Sequence, residues 1–271
     1  MRLIELALAE DLSGGDVTSA ATIPADLQAQ ATVLVKASGV VAGLDVAAAV
    51  CAAVDPALRW QARLDDGAAV EPGTIIAELS GPARSVLMAE RTLLNFLQRL
   101  SGIATLTARY VAELSGSGAR LVDTRKTTPG WRGLEKAAVR AGGGDNHRFN
   151  LGDGVLIKDN HLALGGHDVA SAVTRARAAA PHTVKIEVEV EDLDGVRAAL
   201  AAGADIIMLD NMDLETMSQA VGIVAGRALV EASGGITLER IGAVAATGVN
   251  LISCGAITHS AGALDISLDI A

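Results

Sequence analysis

Apolar and polar positions follow two different rhythms along the chain. In the first hundred residues, short runs alternate with a period near two: ATVLVKAS (31–38), LRWQARL (58–64) and TIIAELSG (74–81). Asp65-Asp66-Gly67 and Pro72-Gly73 stand between them as turn signals, so these runs predict strands. VAGLDVAAAVCAAV (41–54) predicts a helix among them. A longer helical pattern follows, MAERTLLNFLQRLSGIATLTARYVAELSG (88–116), and the pair Ser101-Gly102 predicts a break in it. A domain junction is expected there, giving domains at 1–103 and 104–271, with the C-terminal tail returning to the first.

From Leu121 the rhythm changes. Strand-like runs recur at 121–124, 154–160, 183–190, 204–211, 228–235 and 250–256. Helical stretches separate the later ones. Asp168, Asp192, Asp213 and Thr237 stand where helices start, and Gly203, Gly226 and Gly248 where they stop. Six such units predict a parallel sheet, either open or closed into a barrel.

Each of these runs is apolar inside and polar at its C-terminal end. The polar ends are Asp123-Thr124-Arg125, Lys158-Asp159-Asn160, Glu187 and Glu189, Asp210-Asn211, Ser233-Gly234-Gly235, and Cys254-Gly255. Sites of α/β barrels occupy that face, so these distant residues are expected to converge. Strands leaving the core would account for some polar ends. They account poorly for Lys158 and Glu189, because charges inside apolar runs need partners.

Charge sharpens this picture. The chain carries 22 Lys and Arg against 32 Asp and Glu. Yet from Asp123 to His161 there are seven cations against five acids, while the remainder carries 15 against 27. A net charge of −10 and 2% aromatics argue against nucleic-acid or membrane-surface partners. Two cysteines, Cys51 and Cys254, make no disulfide framework. With no signal-peptide pattern and no long uncharged apolar run, a cytoplasmic location is expected.

Arg125, Lys126, Arg148 and Lys158, with His147 and His161, mix forked and point cations suited to a small polyanion. Arg132, Lys136 and Arg140 read instead as an exposed helix face. Ser233-Gly234-Gly235 precedes a helix and neighbours Gly255, an arrangement that offers backbone N–H groups to a phosphate. Glu189 and Asp210 suit sugar hydroxyls, a developing positive carbon or Mg²⁺, unless they merely pair with Lys158 or Lys185. His147, His161 and His259 lack zinc spacing, His167 and His182 read as loop or surface, and Cys254 as an apolar filler. The residues alone describe a barrel enzyme binding a phosphate, a second polyanion and a hydroxylated part between them.

The motifs DTRKTTPGWRGLEKAAVRAGGGDNHR (123–148), LIKDNH (156–161), IEVEV (186–190), MLDN (208–211) and EASGGI (231–236) resemble those of quinolinate phosphoribosyltransferases. EDLSGGDVTS (10–19), AERTLLNFLQRLSGIAT (89–105) and GAITHSAGALDISLD (255–269) extend the resemblance over nearly the whole chain. A related molybdenum-uptake branch shares the layout, but Lys158-Asp159-Asn160-His161 argues against it. The resemblance implies an α/β chain: an N-terminal α/β sandwich domain, then an incomplete, TIM-like α/β barrel. It implies phosphoribosyl transfer from phosphoribosyl pyrophosphate to quinolinate with loss of CO₂, Mg²⁺ and no organic cofactor, in a homodimer.

By the same resemblance, Arg125, His147, Arg148 and Lys158 bind quinolinate, and Arg91 is donated across the dimer. Lys126 and Lys158 face the phosphates, with Thr124 beside them. Glu189 and Asp210 lie near the ribose and the metal. Ser233, Gly234, Gly235, Gly255 and His259 form the 5′-phosphate end. Lys126, Lys158, Glu189 and Asp210 are the expected catalytic residues. Trp131, Ala137 and Asn150 depart from the family pattern without removing a charged site residue. Two rival readings are an aldolase-like barrel with Lys158 as Schiff base and a non-catalytic phosphosugar sensor. A nicotinate-using transferase is a close variant that would release no CO₂.

Overall fold

The computed structural model describes residues 2–270. Its strands are β1 Gln28–Val35, β2 Gly39–Val40, β3 Arg59–Ala62, β4 Ala69–Val70, β5 Ile75–Pro82, β6 Arg120–Val122, β7 Val155–Ile157, β8 Ile186–Val190, β9 Ile206–Asp210, β10 Leu229–Ser233, β11 Leu251–Ser253 and β12 Ile266–Ile270. Its helices are α1 Arg2–Leu12, α2 Val17–Thr22, α3 Leu44–Val54, α4 Ala83–Ala112, α5 Arg132–Ala141, α6 Asp159–Gly165, α7 Val169–Ala179, α8 Leu193–Ala201, α9 Leu214–Val224, α10 Leu238–Ala245 and α11 Ala256–His259. The chain divides into two compact units. One comprises 1–108, 128–143 and 260–271; the other comprises 109–127 and 144–259.

In the first unit, β12, β1, β5 and β3 form an antiparallel sheet in that order. Alternation in β1 turns Ala31, Val33 and Val35 inward. They pack with Val50 and Cys51 of α3, Phe96 and Leu97 of α4, and Ile266 and Leu268 of β12. The tail strand β12 is hydrogen-bonded along β1 from Ala31–Ile270 to Val35–Ile266. Trp131 stacks on Phe96 with ring centroids 4.8 Å apart. A stacked pair of this kind is worth about 0.5–1.5 kcal/mol beyond its buried area.

Two expectations fail in this unit. The predicted break at Ser101-Gly102 does not occur, and α4 runs unbroken for 30 residues. Ser101 is fully buried; its Oγ accepts from Ala42 N at 3.0 Å and donates to Ala42 O at 3.2 Å. A Cβ on Gly102 would lie 1.9 Å from Gly262 O. The two small residues are there for close packing, not to end the helix. Helix α5 is also not a solvated face. Arg140 is exposed, but Arg132 is half-buried and Lys136 is 2% exposed. Its fully buried neighbour Glu135 pairs with Arg99 at 2.8 Å and accepts from Thr128 N and Oγ1 at 3.1 and 2.8 Å. A run of charges looks the same in sequence whether water or a distant partner solvates it.

In the second unit, six parallel strands form one sheet in the order β6-β11-β10-β9-β8-β7. The first strand in sequence thus pairs with the last, as barrel closure requires, while β6 and β7 do not pair. At the open β6 edge, Asp145 forms a β-bridge with Val122. Asp168, Asp192 and Asp213 cap α7, α8 and α9, each accepting from a backbone N–H at 2.7 Å. Thr237 starts α10 without a side-chain cap bond. Strand β8 is buried at every position, two glutamates included.

Candidate active site

The C-terminal ends of the second unit's strands carry the site residues. Lys158 follows β7, Glu189 lies near the end of β8, Asp210 ends β9, Ser233 ends β10, and Gly255 follows β11. Lys158 Nζ is ion-paired with Glu189, whose side chain is 8% exposed against 43% for the lysine. Of the pairings that the sequence allowed for Glu189, the one with Lys158 is formed. Helix α6 begins directly after this lysine, and Lys158 N donates to His161 Nδ1 at 2.9 Å.

Asp210 and Ser233 are register partners across β9 and β10. Asn211 ties them: its N donates to Ser233 O at 3.0 Å and its Nδ2 to Asp210 Oδ2 at 2.8 Å. Asn211 adopts φ +53°, and Gly234 adopts φ +87° against it. A Cβ on Gly234 would lie 2.1 Å from Asn211 Oδ1, so only glycine fits this turn. Gly235, with φ +58°, completes the loop, and its carbonyl accepts from Arg240 of α10 at 3.3 Å. Asn211 was legible only as a polar strand end; its tie to the glycine loop is tertiary.

Lys126, Gly255 and His259 also converge. A Cβ on Gly255 would lie 2.9 Å from Lys126 Cδ and 3.3 Å from His259 Nε2, so the lysine stem crosses the glycine. Thr258, which sequence reading does not single out, fixes the junction by donating to Lys126 O at 2.8 Å. Thr124 Oγ1 accepts from Lys126 N at 3.0 Å and shapes the turn after β6.

The turn carrying His147 and Arg148 is held by Asp123, which is fully buried. Its Oδ1 accepts from His147 N at 2.8 Å and its Oδ2 from Asn146 Nδ2 at 2.7 Å. Burial and the nearby charge of Arg125 push the Arg148 guanidinium below its usual range. Arg125 thus stands near enough to Arg148 for the two charges to oppose each other. Arg148 N donates to His147 Nδ1 at 2.7 Å, and its NH1 donates to Gly154 O at 3.2 Å.

The His147 side chain points elsewhere. Its Nε2 lies 3.1 Å from Glu187 Oε2 and 3.6 Å from Glu231 Oε1. Burial opposes charge on this imidazole, but the Glu187 hydrogen bond and the Glu231 and Glu187 charges outweigh it, leaving His147 above its ordinary value. Burial, with the Glu187 charge, pushes Glu231 up to about 7. Both glutamates sit two residues before the strand-end positions of Glu189 and Ser233. The sequence does contain a signal for Glu231: it is an acid within the apolar run ALVEAS (228–233).

Cys254 is buried, donates to Ile236 O at 3.7 Å, and is pushed up by burial, as suits a filler. His182 is exposed and His167 half-buried. Arg91 is exposed on α4 in the first unit. Ala137 is exposed, and Asn150 Oδ1 accepts from Gly152 N at 2.7 Å in the loop before β7. Among the described residues no helix is long and apolar enough to cross a membrane.

Two family models match this chain: the quinolinate phosphoribosyl transferase N-terminal domain over residues 16–101 and the C-terminal domain over 103–269. The chain belongs to the quinolinate phosphoribosyl transferase family. It is 44% identical over 273 residues to a carboxylating nicotinate-nucleotide pyrophosphorylase of Mycobacterium leprae, covering 98% of this chain and 95% of that one. The structure of NadC from Streptococcus pyogenes superposes with a TM-score of 0.96 at 43% identity, covering 100% and 95% of the two chains. A nicotinate-nucleotide pyrophosphorylase from Francisella tularensis gives 0.94 at 42%, covering 100% and 95%. Human nicotinic acid phosphoribosyltransferase, at 16% identity and a TM-score of 0.65, shares the fold alone.

Proposed function

We propose that this protein transfers the phosphoribosyl group of phosphoribosyl pyrophosphate to quinolinate. The products are nicotinate mononucleotide, pyrophosphate and CO₂, and the reaction serves NAD biosynthesis. One observation carries the reading. At the same ends of one parallel sheet, a glycine loop suited to a phosphate stands with two acids and a set of cations suited to a dicarboxylate.

Arg125 and Arg148 grip the quinolinate carboxylates, relieving their mutual repulsion. Lys158 adds a third cation; Glu189 holds it in place until the substrate carboxylate shares it. Ser233, Gly234, Gly235 and Gly255 take the 5′-phosphate, with Lys126 and His259 alongside. The ring nitrogen attacks the anomeric carbon as pyrophosphate departs. Positive charge develops on the ribose, and Asp210 and Glu189 stabilise it from the protein side. The nitrogen is then cationic; loss of the neighbouring carboxylate as CO₂ leaves a ring carbanion that this charge stabilises, and a proton from water fills that carbon to give nicotinate mononucleotide. No covalent enzyme intermediate is required.

Glu189 and Asp210 offer hard carboxylate oxygens from adjacent strands. That donor set fits Mg²⁺, which keeps waters and substrate phosphates as its other ligands. When bound, Mg²⁺ supplies charge neutralisation for the departing pyrophosphate. His147 acts as a support for the Arg148 turn. Arg91 completes the site of a partner subunit in a homodimer. Cys51 and Cys254, both free and buried, support a cytoplasmic setting.

The test is an assay for quinolinate-dependent CO₂ and nicotinate mononucleotide in the presence of phosphoribosyl pyrophosphate. Turnover of nicotinate without CO₂, or substrate binding without pyrophosphate release, would overturn the reading. Borohydride trapping with a carbonyl substrate tests the Schiff-base aldolase reading of Lys158, and failure to trap counts against it.

A further inference from the structure

The second unit holds a cavity of about 290 Å³, which Arg148 also lines. Its lining includes Arg120, Ile206 and Leu251, at the N-terminal starts of β6, β9 and β11, so it opens toward the opposite end of the sheet from Asp210 and Ser233. His147, Glu187 and Glu231 project into it. One donor atom from each lies within 4.8 Å of the other two. Glu231 is 0% exposed, and neither of its carboxylate oxygens has a hydrogen-bond partner; Glu187 Oε1 has none either. On the next strand, buried Ser253 has a hydroxyl close enough to favour charge on Glu231, yet that hydroxyl makes no hydrogen bond. Four buried oxygens without partners, around a histidine nitrogen, need something to satisfy them.

We infer that His147, Glu187 and Glu231 form a binding site for a divalent transition-metal ion, with Zn²⁺ as its reference cation. One imidazole nitrogen and two carboxylates make a mixed N,O set, which suits Zn²⁺ or Mn²⁺ better than Mg²⁺. The spacing agrees with the chemistry. Bonds of about 2.0–2.1 Å in a tetrahedron place donors roughly 3.3–3.4 Å apart. His147 Nε2 already stands 3.1 and 3.6 Å from its two carboxylate partners. A fourth ligand would be water from the cavity. His147 Nδ1 already accepts from Arg148 N, which leaves Nε2 as the metal-facing nitrogen once its proton is displaced. The proposed ligands include neither Glu189 nor Asp210, and the inference does not depend on which reaction the enzyme runs.

The experiment uses the full-length chain, stripped with chelator and free of substrates. Zn²⁺, Mn²⁺ and Mg²⁺ are titrated separately, with bound metal counted by elemental analysis and melting temperature followed in parallel. Wild type should retain one Zn²⁺ per chain and melt higher with it. Glu231→Gln is nearly isosteric and replaces a carboxyl that could ionise with a neutral amide, so it should fold, lose the stoichiometric Zn²⁺ and lose the melting shift. Asp210→Asn should keep both. Absence of stoichiometric Zn²⁺ in wild type would overturn the inference, leaving a cluster that holds only protons and water. Equal Zn²⁺ binding by Glu231→Gln would overturn it as well.

Discussion

Lys158 is where one residue changes most. It leaves β7 into the start of α6 and is held by Glu189, so removing it deletes a substrate cation and unpairs a mostly buried acid. Lys158→Ala should lower turnover about 10²–10³-fold or more while the fold stays intact. Steady-state kinetics with circular dichroism measure both, and near-normal turnover would sink the assignment. Sequence made this lysine legible because a charge in an apolar run needs a partner. It did not reveal which acid answers it, since Glu189 lies 31 positions away and only pairing of β7 with β8 brings the two together. His147 is the converse case. It stands in the expected turn, but its ring faces Glu187 and Glu231, a direction that no spacing encodes.

At the scale of elements, polar residues hold strands and helices in place. Asp205, at the start of β9, accepts from Ile186 N at 2.8 Å and from Arg177 of α7 at 2.6 Å. Burial raises its pKa, but these bonds and the Arg177 and Lys185 charges outweigh it, so the carboxyl lies below its ordinary 3.8. A lowered folded value supplies stability above 3.8 that disappears as pH falls through the folded value. Asp205→Asn should therefore cost about 1–2 kcal/mol near neutral pH, with the gap to wild type closing toward acid. Denaturant melts across that range measure the gap; a constant difference would refute the argument. Helix α4 makes the other element-scale prediction. Gly102→Ala forces a methyl to within 1.9 Å of Gly262 O. Chemical denaturation should show a loss of about 1–3 kcal/mol from this overpacking. The local pattern read Ser101-Gly102 as a break because Gly disfavours helix when nothing else acts; packing of the C-terminal tail reverses that preference.

For the whole molecule, the proposed dimer has a direct test. Arg91→Ala and Lys158→Ala should each be inactive alone. If Arg91 serves a partner's site, mixed chains form hybrids with one intact site, and activity should recover to about a quarter of wild type. No recovery in verified hybrids would remove Arg91 from the partner's site. The alternation of apolar runs with helices by itself determined a parallel α/β unit after Leu121 and short strands around a helix before it, because burial periodicity is local; that the earlier strands pair antiparallel was decided by the fold. It also determined which strand ends bear polar groups, and hence most of the candidate site. Tertiary structure alone decided the pairings: Lys158 with Glu189, Asn211 with Gly234, and Glu135 with Arg99. It alone placed Lys136 inside and drew His147 to two buried glutamates. A charged side chain is recorded in sequence by its type, but the partner that allows its burial comes from another element, and only the folded chain brings the two together.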